Sequence, residues 1–469
     1  MEKPVCPGCR VRDTRIAALE KHVAELETLV RDLLDRLKQN ACNSSLPPSA
    51  NPPDAAKPVV KKKTGRKPGG QPGHPPHLKQ LLPAERVTTI SHYLPSHCQH
   101  CQMPLPQQAT PTDPPPRRFQ VIDLPTITAL VHEHQGHART CPDCGQLTQA
   151  VIPAAVRAHS VGPGLTATLA YFTGCHGLSK RAVEEISDAV FAAPVALGTI
   201  PRLEAEMSAA LQGAYDEATR AVRQAPIKYG DETSWKQAGK LRWLWAAATQ
   251  TAALFLIHSG RGVAGLTALL GSTIEGLLHS DRWHAYQRLP EQRRQLCWAH
   301  LKRDFHKWSE RDGAGATLGR EGLRAVSQLF RAWHLFRGGG CSRPELQAKL
   351  TPVRHRLMRV LVEGELGEDA RLSRFCANLM AWEESLWRFM YVEGVEPTNN
   401  HMERLLRRAV LWRRRSFGCW SAAGCRYVER ILTTVQSLRL QERNVLEFLR
   451  QTVTAHRHGV PVPQLLLQG

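Results

Sequence analysis

Three carboxylates, Asp231, Asp281 and Glu403, each stand in a local setting that suits a divalent-metal site for phosphodiester chemistry. Such sites take oxygen ligands, and Mg²⁺ (or Mn²⁺) is the expected ion. The surrounding chain carries 62 Lys and Arg against 42 Asp and Glu, a formal net charge of +20, with a pI near 9.7. An acidic metal centre in so basic a chain points to a polyanionic substrate, nucleic acid first, rather than a small metabolite.

Taken singly, each acid is more often a solvated or capping residue than a ligand. The elements around them make the case. Ala225 to Asp231 reads as a short strand ending in an acid, and Leu241 to Ala247 and Ala252 to His258 as the next two strands of an antiparallel meander. Arg261 to Leu270 reads as a helix, and Thr273 to His279 as a fourth strand running into Ser280 and Asp281. Strand, strand, strand, helix, strand, with aspartates at the ends of the first and fourth, is the layout of a ribonuclease H-like core. Thr398 to Met402 offers helix-capping residues that put Glu403 in a first helical turn. The bland reading of Glu403 is a surface pair with Arg407.

Further along, Arg404, Arg407, Arg408, Arg413, Arg414 and Arg415 form the densest basic cluster, interleaved with Trp412, Phe417 and Trp420, a pattern that suits phosphate contact with aromatic support. Cys297, His300 and Arg303 can share one helix face. Two potential ligands do not close a zinc shell, so packing with Trp298 and Phe305 is the expectation there. From about Glu321 to Met390 the chain reads as helices, an insertion between the second aspartate and the glutamate.

The N-terminal third differs in composition. Ile16, Leu19, Val23, Leu26, Val30, Leu33 and Leu37 recur in alternating steps of three and four, an a/d seam that favours self-association through a short coiled coil. A Pro-, Gly- and Lys-rich stretch follows, with Lys61, Lys62, Lys63, Arg66 and Lys67 available for salt-dependent phosphate contact, and it reads as a basic tether. Cys98-x2-Cys101 and Cys141-x2-Cys144 offer four thiolates for a structural Zn²⁺ in a β-rich ribbon, with strands expected at Phe119 to Pro125 and Ile127 to His134. Cys6-x2-Cys9 has no evident second pair. Two helices around Pro194 and Gly198, the first capped by Ser179, the second opened by Thr199 and Pro201, resemble a helix-turn-helix, and a generic helical pair fits the same pattern equally. Met1 to Arg10 lacks a signal-peptide core and no run is long enough to span a bilayer, so a cytoplasmic, nucleoid-associated protein is expected.

The motifs YGDETSW (Tyr229 to Trp235), HSDRWHAY (His279 to Tyr286), CWAHLKRDF (Cys297 to Phe305) and NNHMERLLRRAVLWRRRSFG (Asn399 to Gly418) resemble the DDE transposases of the insertion sequence 66 family. The leucine-rich helix, the Asn43 to Ser49 and Gly69 to His74 stretches and the paired CxxC block occur in the same order there, so the resemblance covers nearly the whole chain. The Cys6 and Cys9 pair departs from it. The resemblance implies that Asp231, Asp281 and Glu403 are the catalytic, metal-holding triad of a bacterial enzyme that cleaves element ends and joins them to target DNA. It leaves open small accessory proteins encoded beside the gene. The competing readings are a zinc-ribbon DNA-binding protein without catalysis, and a ribonuclease H-like nuclease that hydrolyses without joining.

The expected organisation is a multidomain α/β chain: a coiled-coil helix over 1–40, tether over 41–92, zinc ribbon over 93–150, helix-turn-helix-like region over 151–222, catalytic core over 223–310, helical insertion over 311–392, the rest of the core with C-terminal helices over 393–456, and a tail over 457–469.

Overall fold

The computed structural model of the protein describes residues 7–37 and 80–467, apart from 109 and 112. The tether with Lys61, Lys62, Lys63, Arg66 and Lys67 lies outside the described residues, as do Cys6, Cys42 and the side chain of Cys9. The chain forms two compact units, Met1–Ala56 with Val131–Gly469, and Lys57–Leu130. Among the described residues no helix is long and apolar enough to cross a membrane.

Helix α1 (Pro7–Leu37) carries the heptad seam. Its described members, Ile16 to Leu33, are each 47–59% exposed, so the seam is not buried within the chain. Phe119 to Pro125 and Ile127 to His134 form no strand, contrary to the expectation there. Phe119, Val121 and Leu130 are almost fully exposed, and Pro114, Pro115, Pro116 and Pro125 remove ladder donors around them. The pairing that does form is short, β1 (Ala138–Thr140) against β2 (Leu147–Gln149), antiparallel across the second CxxC.

After α2 (Ala154–Arg157) comes a helical layer of α3 (Pro163–His176), α4 (Lys180–Phe191), α5 (Thr199–Ala210) and α6 (Gln212–Gln224). Ser179 caps α4 by accepting from the Ala182 N–H. Leu169, Val183, Val195, Ile200 and Leu203 form a small core that fixes the α4–α5 corner. The outer face of α4 carries Glu185 and Asp188 beside Lys180 and Arg181, a mixed rather than basic surface.

The sheet is built from β3 (Ile227–Gln237), β4 (Lys240–Ala248), β5 (Ala253–His258), β6 (Leu277–Ser280), which follows helix α7 (Val263–Leu270), and β7 (Arg294–Leu296). Strand order is β5-β4-β3-β6-β7. β3, β4 and β5 are antiparallel neighbours, while β6 and β7 run parallel to β3. β3 does not stop at Asp231 as expected but runs six residues further, to Gln237. A two-residue turn, Ala238 and Gly239, both at positive φ, closes a hairpin whose last pair is Gln237 with Lys240, so the strand continues until the turn geometry ends it.

Side chains alternate across β3. Tyr229 and Trp235 belong to the core on one face, with Met402, Leu405, Leu406 and Ala409 of α13 (Asn400–Ser416) and with Val428 and Leu432 of α14 (Ala422–Leu440). On the other face Trp245, Leu254, Leu266, Leu278 and Tyr286 form a second core. Between the sheet strands and α13 in chain order comes the insertion, α8 (Trp298–Ser309), α9 (Gly313–Arg337), α10 (Arg343–Glu365), α11 (Ala370–Met380) and α12 (Glu383–Trp387), around Trp298, Phe305, Leu329, Leu361 and Trp387. Pro344 sits in the first turn of α10, where a missing N–H costs nothing, and Ser342 with Glu345 completes a capping box. α15 (Val445–His458) packs against α3 and α5.

α14 also closes the sheet. Its Glu429, Thr433 and Ser437 accept from the N–H groups of Ile257, Phe255 and Ala253 at 2.7, 3.0 and 2.9 Å. Four helical residues rise about 6 Å and two strand residues about 6.7 Å, so steps of four on α14 track steps of two on β5. The free edge of the sheet is thereby satisfied by side chains.

Candidate active site

The parallel register pairs Tyr229 with His279, and two residues on along both strands stand Asp231 and Asp281. Adjacent strands are about 4.8 Å apart, so neighbouring carboxylates on one face must interact. Asp231 shares the face of Tyr229 and Trp235, on which α13 docks. Met402, Leu405, Leu406 and Ala409 bury the docking stripe of α13, and Glu403 lies at its margin in the first turn. The residues named from sequence thus converge, Asp231 lying within electrostatic reach of Asp281 and Glu403.

The Asp231 carboxyl is pushed well above the ordinary range, first by burial and then by the charges of Glu232, Asp281 and Glu403, with His300 opposing. Its Oδ1 accepts from the Glu232 N–H at 2.8 Å, and Asp281 Oδ1 accepts from the Trp283 N–H at 2.8 Å. Glu403 does not pair with Arg407. Its Oε1 lies 3.6 Å from His300 Nδ1 and its Oε2 3.8 Å from Arg303, both on α8. Burial opposes the His300 cation, yet the Cys297 sulfur, Asp281 and Glu403 together push its pKa up to about 10.

Several residues that hold this arrangement are not marked by sequence reasoning. Asn399 precedes α13 without capping it. Instead its Nδ2 donates to the Gly230 carbonyl at 2.8 Å and its N–H to the Cys297 sulfur at 3.1 Å, tying the glutamate helix to β3 and to α8. Glu232, on the opposite face of β3, accepts from the Tyr286 hydroxyl at 2.6 Å and from Arg261 Nε at 2.9 Å. The Arg261 guanidinium lies over Trp283, whose indole N–H donates to the Arg261 carbonyl. Glu232 is held up at about 7 by burial and Asp281, with Tyr286 and Arg261 opposing. The period-two alternation of β3 is the signal that sets Glu232 apart from Asp231.

The arginine cluster divides. Arg404, Arg407 and Arg408 are exposed along α13. Arg413 is turned inward, donating to the Thr233 and Ser234 hydroxyls and the Ser234 carbonyl, and Arg415 donates to the His176 carbonyl. α13 ends at Phe417 (φ 58°) and Gly418 (φ 104°). A side chain at Gly418 would meet the Lys236 carbonyl at 2.2 Å, so the loop is pinned to the β3 hairpin while Phe417 and Trp420 stay 80% and 83% exposed.

Each CxxC is a tight knuckle of the same form. The Cys98 N–H donates to Met103 O and the Gln102 N–H returns to Cys98 O, with Gln102 at φ 57°. The Cys141 N–H donates to Gln146 O and the Gly145 N–H to Cys141 O, with Gly145 at φ 68°. Backbone N–H groups of Cys101 and His100 hold the Cys98 thiol below its ordinary range, and those of Cys144 and Asp143 do the same for Cys141.

Comparison with known sequences defines the class first: residues 159–427 match a transposase pattern, over half the chain. The chain belongs to the Transposase IS66 family. Residues 9–80 match a family of unknown function, DUF6444. A Sinorhizobium fredii protein described as uncharacterized protein y4qI is 25% identical over 284 residues, 54% of this chain and 52% of that relative, so the chain spans about half of the relative's length.

Proposed function

We propose that the protein is a DNA transposase whose Asp231, Asp281 and Glu403 cleave the ends of an insertion sequence and join them to target DNA, on a ribonuclease H-like core. Family membership supports the reaction class, and the strand order with its antiparallel meander and parallel fourth and fifth strands supports the core. The observation that carries the site is the register that aligns Asp231 with Asp281 under the helix bearing Glu403. Divalent ions fit this donor set. Like charges of Glu232, Asp281 and Glu403 crowd the half-buried Asp231, a repulsion that Mg²⁺ or Mn²⁺ would offset. Bound there, such ions supply activation of the attacking oxygen and stabilisation of the leaving one.

The chain's own residues do the rest. Trp283 and the Glu232–Arg261–Tyr286 network fix the Asp281 loop. Asn399 sets the height of α13 over β3. Arg404, Arg407 and Arg408 offer phosphate contacts on the exposed side of that helix. Cys98 with Cys101, and Cys141 with Cys144, are proposed as thiolate pairs for structural zinc, a reading supported by the two matched knuckles and by the lowered Cys98 and Cys141 thiols. The seam of α1 pairs with a second copy of the chain.

The test uses purified protein with labelled element ends, Mg²⁺ and a target plasmid. Strand-transfer products are expected, and Asp231→Asn, Asp281→Asn or Glu403→Gln should abolish cleavage and joining while retarded DNA persists. Nicks without joined products would leave a hydrolytic nuclease, and unchanged activity in one of these variants would remove that residue from the site.

A further inference from the structure

Beside the aspartates the structure assembles a cluster of different chemistry. Cys297, His300 and Glu403 each direct one ligand atom to a common point, all within 4.8 Å of one another. We propose that these three side chains bind a borderline-soft divalent transition metal, with Zn²⁺ the best fit, so that the catalytic region has an oxygen-only half at Asp231 and Asp281 and a sulfur, nitrogen and oxygen half at Glu403.

The geometry argues for an ion rather than a packing contact. His300 Nδ1 and Glu403 Oε1 are both buried without hydrogen-bond partners and stand 3.6 Å apart. Two donors of a tetrahedral zinc are roughly 3.3–3.6 Å apart, given Zn–N and Zn–O lengths near 2.0 Å and Zn–S near 2.3 Å. One ion between them satisfies both orphaned atoms and brings in the sulfur with a small closure. The positions are held from behind. Cys297 opens α8, its N–H bonded to the Ser280 carbonyl at 3.0 Å, and His300 follows one turn on. The Asn399 N–H donates to the Cys297 sulfur at 3.1 Å, the kind of outer hydrogen bond that orients a metal thiolate.

The donor set selects the ion. Mg²⁺ demands oxygen, whereas a thiolate with an imidazole favours Zn²⁺ and its neighbours in the first transition row. Three protein ligands leave a fourth position open, the pattern of a reactive rather than a structural zinc. Without a metal, His300 and Glu403 would remain a simple ion pair beside the Cys297 sulfur. This site rests on its own geometry and stands or falls apart from strand transfer.

The test is cobalt substitution in the full-length chain, with Cys6, Cys9, Cys98, Cys101, Cys141 and Cys144 replaced by Ser to silence every CxxC pair. In that background Co²⁺ should give visible d–d bands and a near-ultraviolet thiolate-to-cobalt band of single-sulfur intensity. Further replacement Cys297→Ser should remove the sulfur band, and His300→Gln should weaken Co²⁺ binding at least about 100-fold, with far-ultraviolet circular dichroism confirming the fold. Asp231→Asn should leave the sulfur band in place while abolishing DNA cleavage, which separates this site from the Mg²⁺ reading. Absence of the sulfur band when Cys297 is intact, or its persistence in Cys297→Ser, would overturn the proposal in favour of the ion pair.

Discussion

Glu429→Gln tests the clamp between α14 and β5 through its pH dependence. The Glu429 carboxylate accepts from the Ile257 N–H at 2.7 Å, and burial pushes its pKa up from 4.5 to about 7 even though that hydrogen bond, Arg426 and Arg430 all favour the charged form. A glutamine keeps the acceptor oxygen and removes the buried charge. Because the folded-state pKa is raised above the unfolded value, the contribution of Glu429 to stability is fully present below pH 4.5 and is lost as pH rises through 7. The displacement corresponds to about 3 kcal/mol, to within about a unit of pKa. Urea denaturation at pH 5 and pH 8 reads it directly. Near pH 5 the two proteins should have similar midpoints. At pH 8 the variant should be the more stable by about 3 kcal/mol. A variant-minus-native difference that stays flat between these pH values would refute the assignment of a desolvated carboxylate, since effects common to all other groups cancel in the comparison.

The same clamp predicts that Thr433→Val, which deletes a hydroxyl of similar volume, destabilises by about 1–3 kcal/mol because the Phe255 N–H is left buried and unpaired; equal urea midpoints would contradict it. Gly418→Ala should destabilise through both the left-handed φ and the clash with the Lys236 carbonyl, and limited proteolysis should then cut near Phe417. Removing charge at Arg404, Arg407 and Arg408 together should lower the slope of log affinity against log salt by about 0.9 for each phosphate no longer neutralised, measured by fluorescence anisotropy with duplex DNA. Cys98→Ser should lower the zinc content proposed for the CxxC knuckles, detected by a chromophoric chelator, without altering the far-ultraviolet signal of the helices.

The meander, the helix after it and the fourth strand could be read from sequence because each is short, apolar and punctuated by turn residues. The two aspartates follow from that order. Where β3 ends could not be read, since Thr233, Ser234 and Lys236 break the apolar run while the hairpin turn at Ala238 and Gly239 keeps the strand going. The strands expected around the CxxC pairs failed for the opposite reason. Phe119 to Pro125 has strand-like residues but forms no strand, and β-propensity expresses itself only against a neighbouring strand. The trio at Glu403 was half visible. Cys297 and His300 announce themselves by spacing, but Glu403 lies far along the chain and is delivered by the hydrogen bonds of Asn399, which no local pattern encodes.

The side-chain ladder on the last sheet strand also bears on how copies of such a gene decay. The family match closes at residue 427, two residues before Glu429, the first of the three acceptors. A frameshift just past that point would preserve all three carboxylates and every arginine of α13 but leave the N–H groups of Ala253, Phe255 and Ile257 bare. A bare edge of that kind recruits other strands. Such a shortened product would keep the site residues on a sheet whose edge strand has lost its three side-chain acceptors, so the cost of late truncation falls on the fold before the chemistry.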